Sequence, residues 1–154
     1  MSSQINTTTM SQSRIIRQQT LQLICQYDAG NCDVASITEV GFNEDTSETV
    51  QPGSKSISLA QNVWDSREKA DETISLLTPD WPIHRQPLVD RNILRLAYYE
   101  ITTKSTPPIV AIDEAIELAK EFGTEESPAF INAVLEKIMQ QCDASVKDSD
   151  SSIS

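Results

Sequence analysis

The chain has 154 residues, of which 38% are apolar and 5% aromatic, with only four glycines. That length holds one domain with a real core, and the scarcity of glycine and aromatics argues against a many-turned β sandwich or barrel. A net charge of −11 excludes a protein that grips nucleic acid or membrane by bulk positive charge.

The charge is uneven. Residues 1–30 carry Arg14 and Arg17 against Asp28, whereas residues 31–80 hold three basic and ten acidic side chains. Any contact with a polyanion must therefore be local, and the N-terminal end repels it least. No apolar run approaches the ~20 residues that span a bilayer, and MSSQINTTTMSQS lacks the apolar stretch of a signal peptide. A soluble, cytoplasmic protein is expected. Cys25, Cys32 and Cys142 are odd in number and lack the paired spacing of a zinc site, so idle or buried thiols and no metal are expected.

In chain order, residues 1–12 read as a disordered arm of Ser, Thr, Gln and Asn. A helical domain is expected over 13–142. Its first helix, Arg14–Tyr27, places Ile16, Leu23, Ile24 and Tyr27 on one face, with Ser13 as its cap. A long acidic, Ser/Thr-rich loop follows at 31–55. Ile57–Leu77 carries Ile57, Ala60, Trp64, Ile74 and Leu77 at helical spacing and stops at Thr78-Pro79. Val89–Ile101 repeats Ile93, Leu96, Ala97 and Ile101. Val110–Phe122 repeats Ile112, Ala115, Ile116, Ala119 and Phe122, and ends at Gly123. Ser127–Gln141 opens on Ser127 as cap and Pro128 in the first turn, then repeats Phe130, Ile131, Val134, Leu135 and Ile138. Residues 143–154 read as a disordered acidic tail. No stretch alternates with period two long enough to make a strand. The fold class is all-α.

Catalysis has little to work with. His84 is the only histidine and sits between prolines, with no Cys or Ser pattern near it. The glycines stand singly, so no phosphate-cradling loop exists. Asp113-Glu114 and Glu125-Glu126 are simplest as negative charge at helix starts, where it meets the positive end of the macrodipole. No enzyme and no cofactor are expected. Two features are less ordinary. Asp90, Arg91, Arg95 and Glu100 interleave with apolar residues in VDRNILRLAYYEI, so they form internal ion pairs or face a protein partner. Arg14, Arg17 and Gln18 share a helix face, which is either solvated or contacts the phosphates and bases of single-stranded RNA.

Taken together, residues 81–138 resemble the C-terminal half of the NusB family of bacterial transcription antitermination factors. The resemblance is carried by VDRNILRLAYYEI (89–101), by VAIDEAIELAKEFG (110–123) behind Pro107, and by S-x-x-F-I-N-x-V-L-E-K-I (127–138). Arg14, Arg17, Leu21 and Tyr27 match more loosely the family's arginine-bearing first helix, and Trp81 with Arg85 its W-x-x-x-R connector.

The resemblance implies two small packed helical bundles. It implies binding of boxA-type RNA in ribosomal-RNA transcripts, together with NusE, a small-subunit ribosomal protein, within the RNA polymerase antitermination complex. Carried over, Arg14, Arg17, Gln18, Glu126 and Phe130 become RNA-binding candidates, and Tyr27, Asp90 and Arg91 partner-binding ones. Phe130 also fits a core position by its spacing. A homodimer stays open, since some relatives self-associate. The family usually carries a denser N-terminal arginine cluster. The alternative is therefore an adaptor that binds NusE but has lost sequence-specific RNA recognition.

Overall fold

The computed structural model describes the backbone of residues 2–30 and 53–151, and the side chains of 12–30 and 53–143. The helices are α1 (Ser2–Asp28), α2 (Ser54–Asp65), α3 (Arg67–Leu77), α4 (Leu88–Thr102), α5 (Pro108–Phe122) and α6 (Ser127–Ser151), with a 3-10 turn at Ile83–Arg85. Among the described residues there is no strand, and the fold is all-α. The chain divides into two compact units, Met1–Asp65 and Ser66–Ser154.

Several helix limits differ from those read in the sequence. The backbone of α1 is helical from Ser2, so Ser13 lies inside the helix and caps nothing. Once a helix is nucleated, each further residue costs only its own propensity, within about 0.7 kcal/mol of Ala for Ser, Thr, Asn and Gln. At the other end, the α6 backbone continues through most of the expected acidic tail to Ser151. Of the expected loop at 31–55, residues 31–52 lie outside the described residues, and Ser54 and Lys55 already belong to α2. The single helix expected over 57–77 is two helices. Ser66 separates them, with φ −97° and ψ 8° in the bridge region between helix and extended backbone. Starting at Pro108 rather than Val110, α5 carries Asp113 and Glu114 in its second turn, beyond the strongest part of the dipole.

In the first unit, α1 packs against α2. From Thr20 to Gln26 every α1 residue except Gln22 is buried, and α2 buries Ser56, Ala60 and Val63. Small residues on α2 allow close approach, and Gln19 Oε1 on α1 accepts a 2.7 Å hydrogen bond from Ser56 Oγ. Tyr27 and Trp64 add a tilted ring contact with centroids 6.0 Å apart. Beyond α1, Gly30 takes φ +90°, a left-handed conformation that glycine adopts without steric cost.

The second unit is built around α4, which packs against α3, α5 and α6. A helix enclosed on several sides is apolar almost all round, and Ile93, Leu94, Leu96, Ala97, Tyr98 and Ile101 are all buried. Its buried polar residues have partners. Arg95 forks onto Asp71 of α3 through Nε–Oδ1 and Nη2–Oδ2, both 2.7 Å, and its Nη1 donates to Asn92 Oδ1 at 2.9 Å. The internal ion pair expected in this segment is thus made by Arg95. Pro107 and Pro108 open α5 with φ preset for helix entry.

Candidate functional site

The residues singled out by sequence fall into two sets, one in each unit. On α1, Arg14 is exposed, and Arg17 and Gln18 are half-buried on the same turn. That turn lies just before the buried stretch starting at Thr20. Tyr27, at the far end of the helix, is half-buried against Trp64.

In the second unit the start of α4 organises the set. Pro87 precedes α4, and Arg91, half-buried, extends Nη1 toward the carbonyls of His84 at 3.4 Å and Gln86 at 3.5 Å. Asp90, expected to offer its carboxylate to a partner, is only 3% exposed. Both carboxylate oxygens accept from Ser127 Oγ, at 2.8 and 3.1 Å. Burial pushes the Asp90 carboxyl above its usual range, and the Ser127 hydrogen bond opposes the rise. The first turn of α4 also supports a negative charge there. As placed, Asp90 spends its charge inside the protein.

Ser127, read as a helix cap, has this different use. Its hydroxyl reaches across to α4 and accepts from the Thr124 amide at 2.9 Å, tying the α5–α6 turn to the start of α4. Gly123 completes the turn. It is not left-handed, with φ −94°, so its value is space: a Cβ would lie 2.6 Å from Ser127 Oγ and 2.8 Å from the Ala119 carbonyl.

One turn into α6 comes Phe130, half-buried and packed edge to face on Trp81, with centroids 4.8 Å apart and planes at 62°. Trp81 remains 37% exposed. Glu126 is exposed on the turn just before α6. Such a pair holds its rings at a fixed angle while leaving apolar surface at the solvent edge. Phe130 is thus neither simply core nor free surface. In the sequence Trp81 stands out only as part of the W-x-x-x-R connector. Its ring partner lies far along the chain, and no local spacing could have paired them.

Among the described residues no cluster of His, Cys, Asp and Glu could hold a metal, while Cys25 is buried and Cys142 half-buried, both as free thiols. No described helix is long and apolar enough to cross a membrane.

A family model described as the NusB family matches residues 14–140. The chain belongs to the NusB family. Transcription antitermination protein NusB of Streptomyces coelicolor is 36% identical, over 85% of this chain and 94% of that protein. The protein of the same name from Geobacter sulfurreducens is 37% identical, over 84% and 94%. A solved structure of T. maritima NusB matches with a TM-score of 0.66 and 29% identity, over 82% of this chain and 89% of that one. Coverage this complete brings both units within the NusB pattern. The curated relatives are named as regulators of transcription, and the NusB family is not a family of enzymes.

Proposed function

We infer that this NusB-family chain is a transcription antitermination factor that binds boxA-type single-stranded RNA together with NusE, as part of the RNA polymerase antitermination complex. The observation that carries the reading is Phe130, half-exposed and braced by Trp81 in the block that most resembles the family. A base stacked on such a ring contributes about 1–3 kcal/mol. Arg14, Arg17 and Gln18 supply phosphate and base contacts from α1, and Glu126 borders the aromatic pair. Tyr27 and Arg91 face the protein partner. Asp90 supports the Phe130 surface from inside its own unit through Ser127.

Fluorescence anisotropy of a labelled boxA-like RNA, with and without NusE and across a salt series, tests the reading. Sequence-dependent binding that NusE strengthens is the expected result. The adaptor reading is favoured by one fact, a net charge of −11 with only Arg14 and Arg17 as basic residues before position 55. Capture of NusE with no RNA binding at any salt concentration would establish that alternative.

A further inference from the structure

A ring offers its face to a base at low cost only if it is already held at one depth and angle, because ordering a loose side chain consumes part of the binding free energy. Phe130 lies in the first turn of α6, three residues past Ser127. Ser127 Oγ donates to Asp90 and accepts from Thr124 N, and the turn leading to it closes over a glycine with no room for a Cβ. Trp81 is held from the same place by another route. Gln86, two residues before α4, donates from Nε2 to the Trp81 carbonyl at 3.0 Å and to Thr78 Oγ1 at 3.3 Å. Both rings are thus anchored at the start of α4, one through Gln86 and the other through Asp90 and Ser127.

We propose that Asp90 is a positioning residue for the Trp81–Phe130 surface: through Ser127 its carboxylate sets where α6 begins, and so where Phe130 presents its ring to an RNA base. This rests on the RNA-binding reading above and deepens it. A carboxylate is a costly group to bury, but its hydrogen bonds are shorter and stronger than those of a neutral acceptor. The first turn of α4 gives its charge further support. A neutral side chain at this position fixes the turn less firmly.

The test uses the full chain carrying Trp64→Phe, which leaves Trp81 as the one tryptophan. Into it go Ser127→Ala, Asp90→Ala and Asp90→Asn, and separately Ile101→Val. The last makes a small cavity three turns along α4, lowering stability without touching either anchor. Trp81 emission and acrylamide quenching are read alongside boxA-like RNA affinity, at a temperature where circular dichroism shows every variant folded. Ser127→Ala and Asp90→Ala are expected to shift Trp81 emission and weaken RNA binding about tenfold, the low end of losing one stacked base. Asp90→Asn, which keeps one acceptor, is expected to fall between, and Ile101→Val to move neither readout.

The proposal is overturned if Ser127→Ala and Asp90→Ala leave Trp81 unchanged, or if Ile101→Val moves both readouts as far. It is also overturned if the Trp81 signal shifts while the RNA affinity of a binding parent does not. Should the parent bind no RNA, the RNA reading alone fails. Trp81 spectroscopy then still decides whether Asp90 positions the pair.

Discussion

Arg95 grips Asp71 with two parallel 2.7 Å bonds, joining α4 to α3 by a fork that a lysine could not reproduce. The Arg95 side chain is 8% exposed and that of Asp71 25%. Removing the carboxylate takes the forked partner from a guanidinium held inside the fold, whose Nη1 bond to Asn92 stays. Asp71→Ala is therefore expected to cost about 2–4 kcal/mol in urea unfolding. Asp71→Leu combined with Arg95→Met, which removes both charges, is expected to cost less than Asp71→Ala alone. The reverse order would mean that the pair contributes attraction beyond the repair of its own burial.

Arg14 and Arg17 are the local source of positive charge on α1. If each meets one phosphate, changing both to Ala makes the slope of log K against log salt shallower by about 1.4. Helicity, read by circular dichroism, is expected to stay as it is. An unchanged slope would take these arginines off the RNA path.

Gly123 is needed for space rather than for an unusual backbone angle. Gly123→Ala must push Ser127 or the end of α5 aside, and is expected to cost about 1–3 kcal/mol by thermal unfolding. A neutral result would show that the α5–α6 turn has slack to give.

Lys104 is the counterexample. It sits beyond the end of α4 at φ 58°, a left-handed conformation that side-chain-bearing residues adopt only at a cost. Lys104 is exposed. Lys104→Gly is expected to stabilise the protein by about 1 kcal/mol, seen as a higher midpoint in urea. No gain would mean that the lysine side chain contributes as much as its backbone loses.

The raised pKa of Asp90 has a definite sign in a pH titration of stability. Its folded form binds a proton more readily than its unfolded form, so its contribution to stability improves as pH falls through the folded pKa. That gain is complete below the unfolded value of about 3.9. The parent chain minus Asp90→Asn should therefore show a stability difference that rises on acidification. A difference that falls instead would place a positive group against Asp90.

The parts of the fold legible in sequence were those written in local chemistry. The Gly123 stop and the 3.6-residue repeat of Ile112, Ala115 and Ala119 mark α5 because each acts within one or two turns, while its start at Pro108 falls two residues before the Val110 read from the repeat. The break at Ser66 was hidden because a serine leaves the apolar stripe from Ala60 to Ile74 in phase, so two helices read as one. Asp90 reads as one half of an internal ion pair or as a partner contact because nothing beside it predicts Ser127, 37 residues away, as its partner. The half-exposure of Phe130 was equally out of reach, since it depends on Trp81 and not on the spacing of α6.

A ribosome delivers this chain from its N-terminus at about 5–20 residues per second. When α4 has emerged, the Asp90 carboxylate faces a site whose donor has yet to be translated. Only after residue 127 clears the exit tunnel can the hydroxyl arrive and α6 lie down against α4. The aromatic pair is therefore among the last features the nascent protein acquires, and a chain cut short before Ser127 holds Trp81 with no ring to meet it.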